Sequence, residues 1–229
     1  MALDERIVKI GEYEVNLGSK GNGKTVLLLH DISPNSSMKD LEPLFVLSSN
    51  HMILAPDLVG FGKSSKKDEI PNYKVQANVV SELLDRVNVH EFSAVGLGWG
   101  GQICIQLALM LRKNMASMVL INPTYEKEQL RHLRTLEVPT LILFSEDNMF
   151  VQLKTAYILR DMIKRSRLEV IPKTKLLNKA SPMRNFLPYT PELTNLISKF
   201  LLIANDMILP QPEMENELKG IAQKEDELP

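Results

Sequence analysis

Six short apolar runs constrain this chain more than any other feature: VLLLH at 26–30, MILA at 52–55, FSAV at 92–95, MVLI at 118–121, TLILF at 140–144 and LEVI at 168–171. Runs of four or five such residues, bounded by turn formers, suit strands covered on both faces, as in a parallel sheet. Longer segments with helical period lie between them. Residues 73–87 place Val75, Val79, Leu83, Leu84 and Val87 on one stripe. Residues 101–111 do the same with Ile103, Leu107 and Leu111, and 151–163 and 191–203 predict two further helices, the last with Pro191 in its first turn. Upstream, IVKI (7–10) and YEVNL (13–17) read as two strands joined at Gly11-Glu12. The alternation predicts a doubly wound, mostly parallel α/β sheet with an antiparallel N-terminal edge.

Composition narrows the function classes. The chain has 229 residues, 44% of them apolar, enough for one full-sized core. Lys plus Arg is 27 and Asp plus Glu is 28, so no bulk charge favours nucleic acid or a membrane surface. A single cysteine, Cys104, excludes an intrachain disulfide framework. The four histidines, His30, His51, His90 and His132, are too scattered for a metal motif. No cofactor is expected. No apolar run reaches the roughly 20 residues of a membrane span, and the charged start lacks a signal core, so a cytoplasmic protein is expected. The domain is expected over 1–204. Residues 205–229 read as an acidic, proline-containing tail with one possible short helix at 213–223.

Two glycine segments carry nucleotide-binding patterns. Gly18 to Thr25 fits the P-loop letters G-x-x-x-x-G-K-[ST], with Lys24 in the lysine position. A P-loop follows a buried strand and opens a helix, whereas Lys24 precedes the strand pattern VLLLH, so a turn between two strands is the expectation. Gly96, Gly98 and Gly101 fit G-x-G-x-x-G between a strand and a helix, but the next strand ends in Asn122-Pro123 where a ribose-binding acid belongs. The same segment, GLGWGG, also keeps the frame of a nucleophile elbow G-x-S-x-G, with Gly98 in the nucleophile position. Glycine adopts the unusual dihedrals of that turn more readily than serine does.

With these segments in hand, the chain resembles the α/β-hydrolase superfamily, in its small form with no or minimal cap domain. VLLLHD (26–31) resembles the third strand and oxyanion loop, where the family usually reads H-G. APDLVGFGKSS (55–65) resembles the family's P-D-x-x-G-x-G-x-S segment, VGLGWGG (95–101) its elbow, MVLINP (118–123) its sixth strand and VPTLILFSEDN (138–148) its seventh strand and acid loop. About 15 residues separate those last two strands, room for one short helix (126–135) in place of a cap.

The resemblance implies a nucleophile, a base, an orienting acid and an oxyanion hole. The nucleophile position holds Gly98, and the acid position aligns with Asn148, with Asp147 one residue early as a possible substitute. The base belongs in the loop after the eighth strand, 172–190 here, which contains no histidine; none follows His132. His132 reads as a surface residue of the short helix, Ser93 as a strand residue out of reach, and Cys104 as a small core residue. The oxyanion donors would be the amide of Trp99 and one from the loop after His30. Asp31 stands where the family has glycine, and its carboxylate would oppose a developing oxyanion by roughly 1–4 kcal/mol at about 4 Å. His30 is expected to be structural at its strand end, and Asp57 to order its own turn, with Gly60 and Gly62 supplying backbone freedom. His30, Leu97 and Trp99 are pocket candidates; Trp99 either packs on the core or lines a ligand pocket.

Three functions are compatible with these residues. The first is a catalytically inactive hydrolase-fold protein acting as a binding or structural component, with a protein partner or a small ligand in a vestigial pocket. The second is a serine-hydrolase-like esterase with non-standard residues, such as Asp147 with His132 or His30. The third is a nucleotide-binding protein using Gly18–Thr25.

Overall fold

The structure, a computed structural model, describes residues 3–33, 35–146, 148, 151–172 and 191–204. Eight strands of the described residues form one sheet: β1 (Asp4–Ile10), β2 (Tyr13–Lys20), β3 (Thr25–Leu29), β4 (Met52–Pro56), β5 (Phe92–Leu97), β6 (Met115–Ile121), β7 (Thr140–Ser145) and β8 (Ser166–Ile171). Their order across the sheet is β1-β2-β4-β3-β5-β6-β7-β8. β1–β2 and β2–β4 pair antiparallel, and every other pair is parallel. This is the α/β-hydrolase fold expected from the sequence. The strands in the middle of the sheet are buried along their whole length, which is why their sequences are continuous apolar runs and not alternating ones.

Among the described residues five α-helices cover the two faces: α1 (Tyr73–Arg86), α2 (Trp99–Met110), α3 (Lys127–Leu133), α4 (Leu153–Met162) and α5 (Pro191–Ile203). One core lies between the sheet and α1, α2 and α4, built on Phe92, Ile103, Leu107 and Phe144. The other lies beneath α5, where Ile197 and Phe200 meet Val95, Val119 and Leu143. The Asn72 side chain caps α1 by accepting from the amides of Lys74 and Val75. The link from β6 to β7 holds only α3, so no cap domain lies between them.

A further helical element had no expectation attached to it. Met38–Ser49 is a 3-10 helix, entered through a Ser37–Asp40 capping box. Its buried residues include Met38, Leu41, Leu44 and Leu47, spaced by three, the period of a 3-10 turn and not of an α-helix. It fills the connection between β3 and β4 on the α5 side of the sheet. The tail from 205, with its possible helix at 213–223, and the loop 173–190 lie outside the described residues.

Candidate functional site

In a parallel sheet of this kind, functional groups gather at the carboxyl ends of the strands. Three turns meet there: the loop after β3, the loop after β4, and the turn from β5 into α2.

The β5–α2 turn is an elbow. Gly98 has φ 54° and ψ −113°, a backbone conformation costly for a residue with a side chain. Its amide donates to the carbonyl of Ile121 at 2.9 Å, and its carbonyl accepts from Gly101 at 3.1 Å as α2 begins. A Cβ on Gly100 would run into the carbonyls of Leu29 and His30, so only glycine lets α2 start this close to the end of β3.

Asp31 fills the space that the elbow leaves. A Cβ on Gly98 would collide with the Asp31 carboxylate. That carboxylate therefore lies where the side chain of an elbow residue would begin. Its Oδ1 accepts from the amide of Ile32 at 2.7 Å and from the amide of Trp99 at 2.8 Å. Those amides, one from the loop after β3 and one from the first residue of α2, are the two donors that an oxyanion hole would use. Only the first half of this was legible in the sequence. Asp31 reads there as a repulsive neighbour of an anion, whereas the structure puts the carboxylate itself on the donors. The long-range proximity of residues 31 and 98 has no local signal.

His30 is locked. It is fully buried, its Nδ1 lies 2.8 Å from the carbonyl of Asp31, and its Nε2 accepts from the amide of Leu58 at 3.0 Å. Those partners fix the proton on Nδ1, so the imidazole is neutral and has no nitrogen left for a substrate. Burial pushes its pKa below the usual histidine value, with the Asp31 carbonyl and nearby carboxylates acting the other way. His30 thus ties the β3 loop to the β4 loop. As a pocket-lining residue it must be set aside, and so must Leu97, whose side chain is packed in the core with Val95, Ile121 and Leu143. Trp99 is half-buried, packed against the core with its ring 6.3 Å from that of Phe61.

The β4 loop is held by one carboxylate. Asp57 Oδ1 accepts from the amide of Met38 at 2.8 Å, and Oδ2 accepts from the amide of Lys63 at 2.8 Å and from Asn16 Nδ2 at 2.9 Å. Ser64 Oγ donates to the Asp57 carbonyl at 2.6 Å and accepts from the amide of Asn16 at 2.8 Å. These bonds give the P-D-x-x-G-x-G-x-S letters a scaffold role.

The remaining candidates fall elsewhere. Asn148 Oδ1 accepts from the amide of Val151 at 2.9 Å and shapes the turn after β7; Asp147 lies outside the described residues. His132 is exposed in the last turn of α3. Ser93 accepts from Ser117 Oγ at 2.8 Å within the sheet. Cys104 is buried, and burial pushes its thiol pKa up, away from reactivity. Gly18 lies inside β2 and Thr25 opens β3, so the P-loop letters span a strand-to-strand turn with no helix to follow; the nucleotide-site geometry is not formed there. Asn122, in the acid position of the dinucleotide pattern, instead accepts from the amide of Ser145 at 2.8 Å. Among the described residues no group of acidic, histidine or cysteine side chains could hold a metal ion, and no helix is long and apolar enough to cross a membrane.

Comparison with known proteins agrees with this geometry at the level of fold. A family model described as alpha/beta hydrolase fold matches residues 34–133. A 2-hydroxy-6-oxo-2,4-heptadienoate hydrolase of Pseudomonas putida is 29% identical over 122 residues, 51% of this chain and 43% of the relative. Haloalkane dehalogenase 2 of Mycobacterium tuberculosis is 28% identical over 105 residues, 45% of this chain and 36% of the relative. The match thus spans less than half the length of either. Among solved structures, a meta-cleavage product hydrolase from Pseudomonas fluorescens superposes with a TM-score of 0.74 at 18% identity, over 87% of this chain and 98% of that one. A thermophilic esterase from Thermogutta terrifontis does so with a TM-score of 0.72 at 16% identity, over 88% and 99%. Sheet order, elbow, family model and solved structures agree on one fold for this chain, that of the alpha/beta hydrolases.

Proposed function

We propose that this chain does not carry out serine-type acyl transfer, and that it serves as a binding component built on the hydrolase fold. The observation that carries this reading is the Asp31 carboxylate, seated on the amides of Ile32 and Trp99 in the space that a nucleophile's side chain would need. An acyl oxyanion would have to displace a tethered anion from those donors. Acyl transfer also needs a base, and the sequence supplies no histidine after His132. The open carboxyl end of the sheet would then receive a ligand or a protein partner.

A second reading is a hydrolase working with non-standard residues, and the comparisons favour it over the first, because the relatives carry the names of hydrolases and dehalogenases. The structure offers one group to it that the sequence did not suggest. Asp31 Oδ1 is held by two amides while Oδ2 has no hydrogen bond among the described residues, an arrangement suited to a carboxylate nucleophile.

One experiment separates the two. The full chain is incubated with a generic acyl ester, a fluorophosphonate and an alkyl bromide, and the products are mapped by peptide mass spectrometry. The binding reading expects no turnover and no site-selective adduct. Ester turnover, or alkylation concentrated on Asp31 and absent in Asp31→Asn, would overturn it in favour of the enzyme. Gly98→Ser is expected to bring no esterase activity, because no base activates the new hydroxyl.

A further inference from the structure

A cleft runs beside the elbow, between the loop after β3 and the loop after β4. Its apolar end, about 370 Å³, is walled by Ile32, Phe61 and Ile70. Ile32 and Ile70 are each 45% exposed, unusual for isoleucines, and both line this hollow. Its polar end, about 260 Å³, is walled by Ser37, Lys39, Lys63 and Lys66. The two ends share Asn35, Gly62 and Lys66, so an apolar hollow and a basic one lie side by side.

The charge balance in the basic hollow is positive. Glu5 and Asp57 also face it. Glu5 pairs with Lys63 at 2.7 Å, and both Asp57 oxygens are bound to buried donors. Lys66 Nζ donates to the carbonyls of Gly62 at 2.8 Å and Gly60 at 3.4 Å, which holds it at the rim without neutralising it. Lys39 is exposed and has no ion pair among the described residues.

We propose that this cleft binds a free, single-chain anionic amphiphile: a carboxylate or phosphate head between Lys39 and Lys66, and a short alkyl chain over Gly62 against Ile32, Phe61 and Ile70. This names a ligand class for the binding reading above, and it needs no chemistry at Asp31. Burying the chain removes two exposed isoleucines from water, and the paired cations select the sign of the head.

Trp99, the sole tryptophan, lies beside Phe61 and reports on the apolar end. The full chain is titrated with sodium octanoate and octyl phosphate below their micelle concentrations, read by Trp99 emission and by calorimetry. Saturable binding is expected, weakening two- to fourfold for each methylene removed. Octylammonium is expected not to bind. Lys39→Glu with Lys66→Glu, and separately Ile70→Asp, are each expected to weaken octanoate at least tenfold while leaving the circular dichroism unchanged. Equal binding of octylammonium, or no saturable heat with octanoate, overturns the proposal. Attachment to phosphatidylglycerol vesicles without binding of the free amphiphiles also overturns it, since that is surface charge alone. Ester turnover would remove the binding reading and leave the cleft result standing; loss of octanoate binding would remove the cleft alone.

Discussion

The loop after β4 and the elbow after β5 sit side by side at the carboxyl end of the sheet, and they differ in what their residues are for. In the β4 loop the family-like letters hold the chain together: Asp57 accepts from the amides of Met38 and Lys63, and Ser64 bridges the Asn16 amide and the Asp57 carbonyl. At the elbow Gly98 carries no side chain, and the Asp31 carboxylate, from the loop after β3, takes the room that a Cβ would need. Residues that support a fold answer to hydrogen-bond geometry, which any member of the fold needs. Residues that carry out a reaction answer to a substrate, and can change without disturbing the frame.

That contrast can be broken by substitution. Asp57→Ala should cost about 3–4 kcal/mol, because it strands the amides of Met38 and Lys63 and removes one acceptor of the Asn16 side chain. Urea unfolding measures it, and a loss below about 1 kcal/mol would make the bonds of the β4 loop dispensable to the fold. Gly98→Ala should cost about 2 kcal/mol through its positive φ and its collision with Asp31. Asp31→Gly in that background should return at least about 1 kcal/mol, a coupling read from a double-mutant cycle. Without that coupling, the carboxylate does not fill the elbow in solution.

His30 joins the two regions and gives a pH test. Its folded pKa lies below the unfolded value of 6.5, so the unfolded chain takes up the proton first as pH falls. Its contribution to stability is complete above about pH 6.5 and is lost at up to about 1.4 kcal/mol per pH unit below it, until the depressed folded value is reached. His30→Gln should flatten this part of the stability-versus-pH curve, whatever it does to stability itself. The smallest effect is expected at Lys24→Ala: no change in unfolding midpoint, and no difference with or without ATP-magnesium.

The sheet was legible because its strands are buried on both faces and so appear as unbroken apolar runs. The helices α1, α4 and α5 were legible because a 3.6-residue stripe faces the sheet, whereas the apolar face of α2 is so broad that the helix is buried on almost every side. The 3-10 helix at Met38–Ser49 was not, because its stripe repeats every three residues and Pro43 interrupts it, although Met38, Leu41, Leu44 and Leu47 spell that period out. The missing elbow side chain could be read directly at Gly98. The seat of the Asp31 carboxylate could not, because it depends on β3 and β5 being neighbours and on α2 starting against them. His30 and Leu97 were placed in a pocket from their closeness in sequence to the turns. Their burial follows from which way the strand ends point.

The contact of Gly100 with the carbonyls of Leu29 and His30 has a practical corollary. With no atom to spare between helix and strand, the main chain at this corner behaves as a welded joint. Any group brought to this corner meets that rigidity. The two amides are already aimed, and whatever uses them competes with the Asp31 carboxylate seated there.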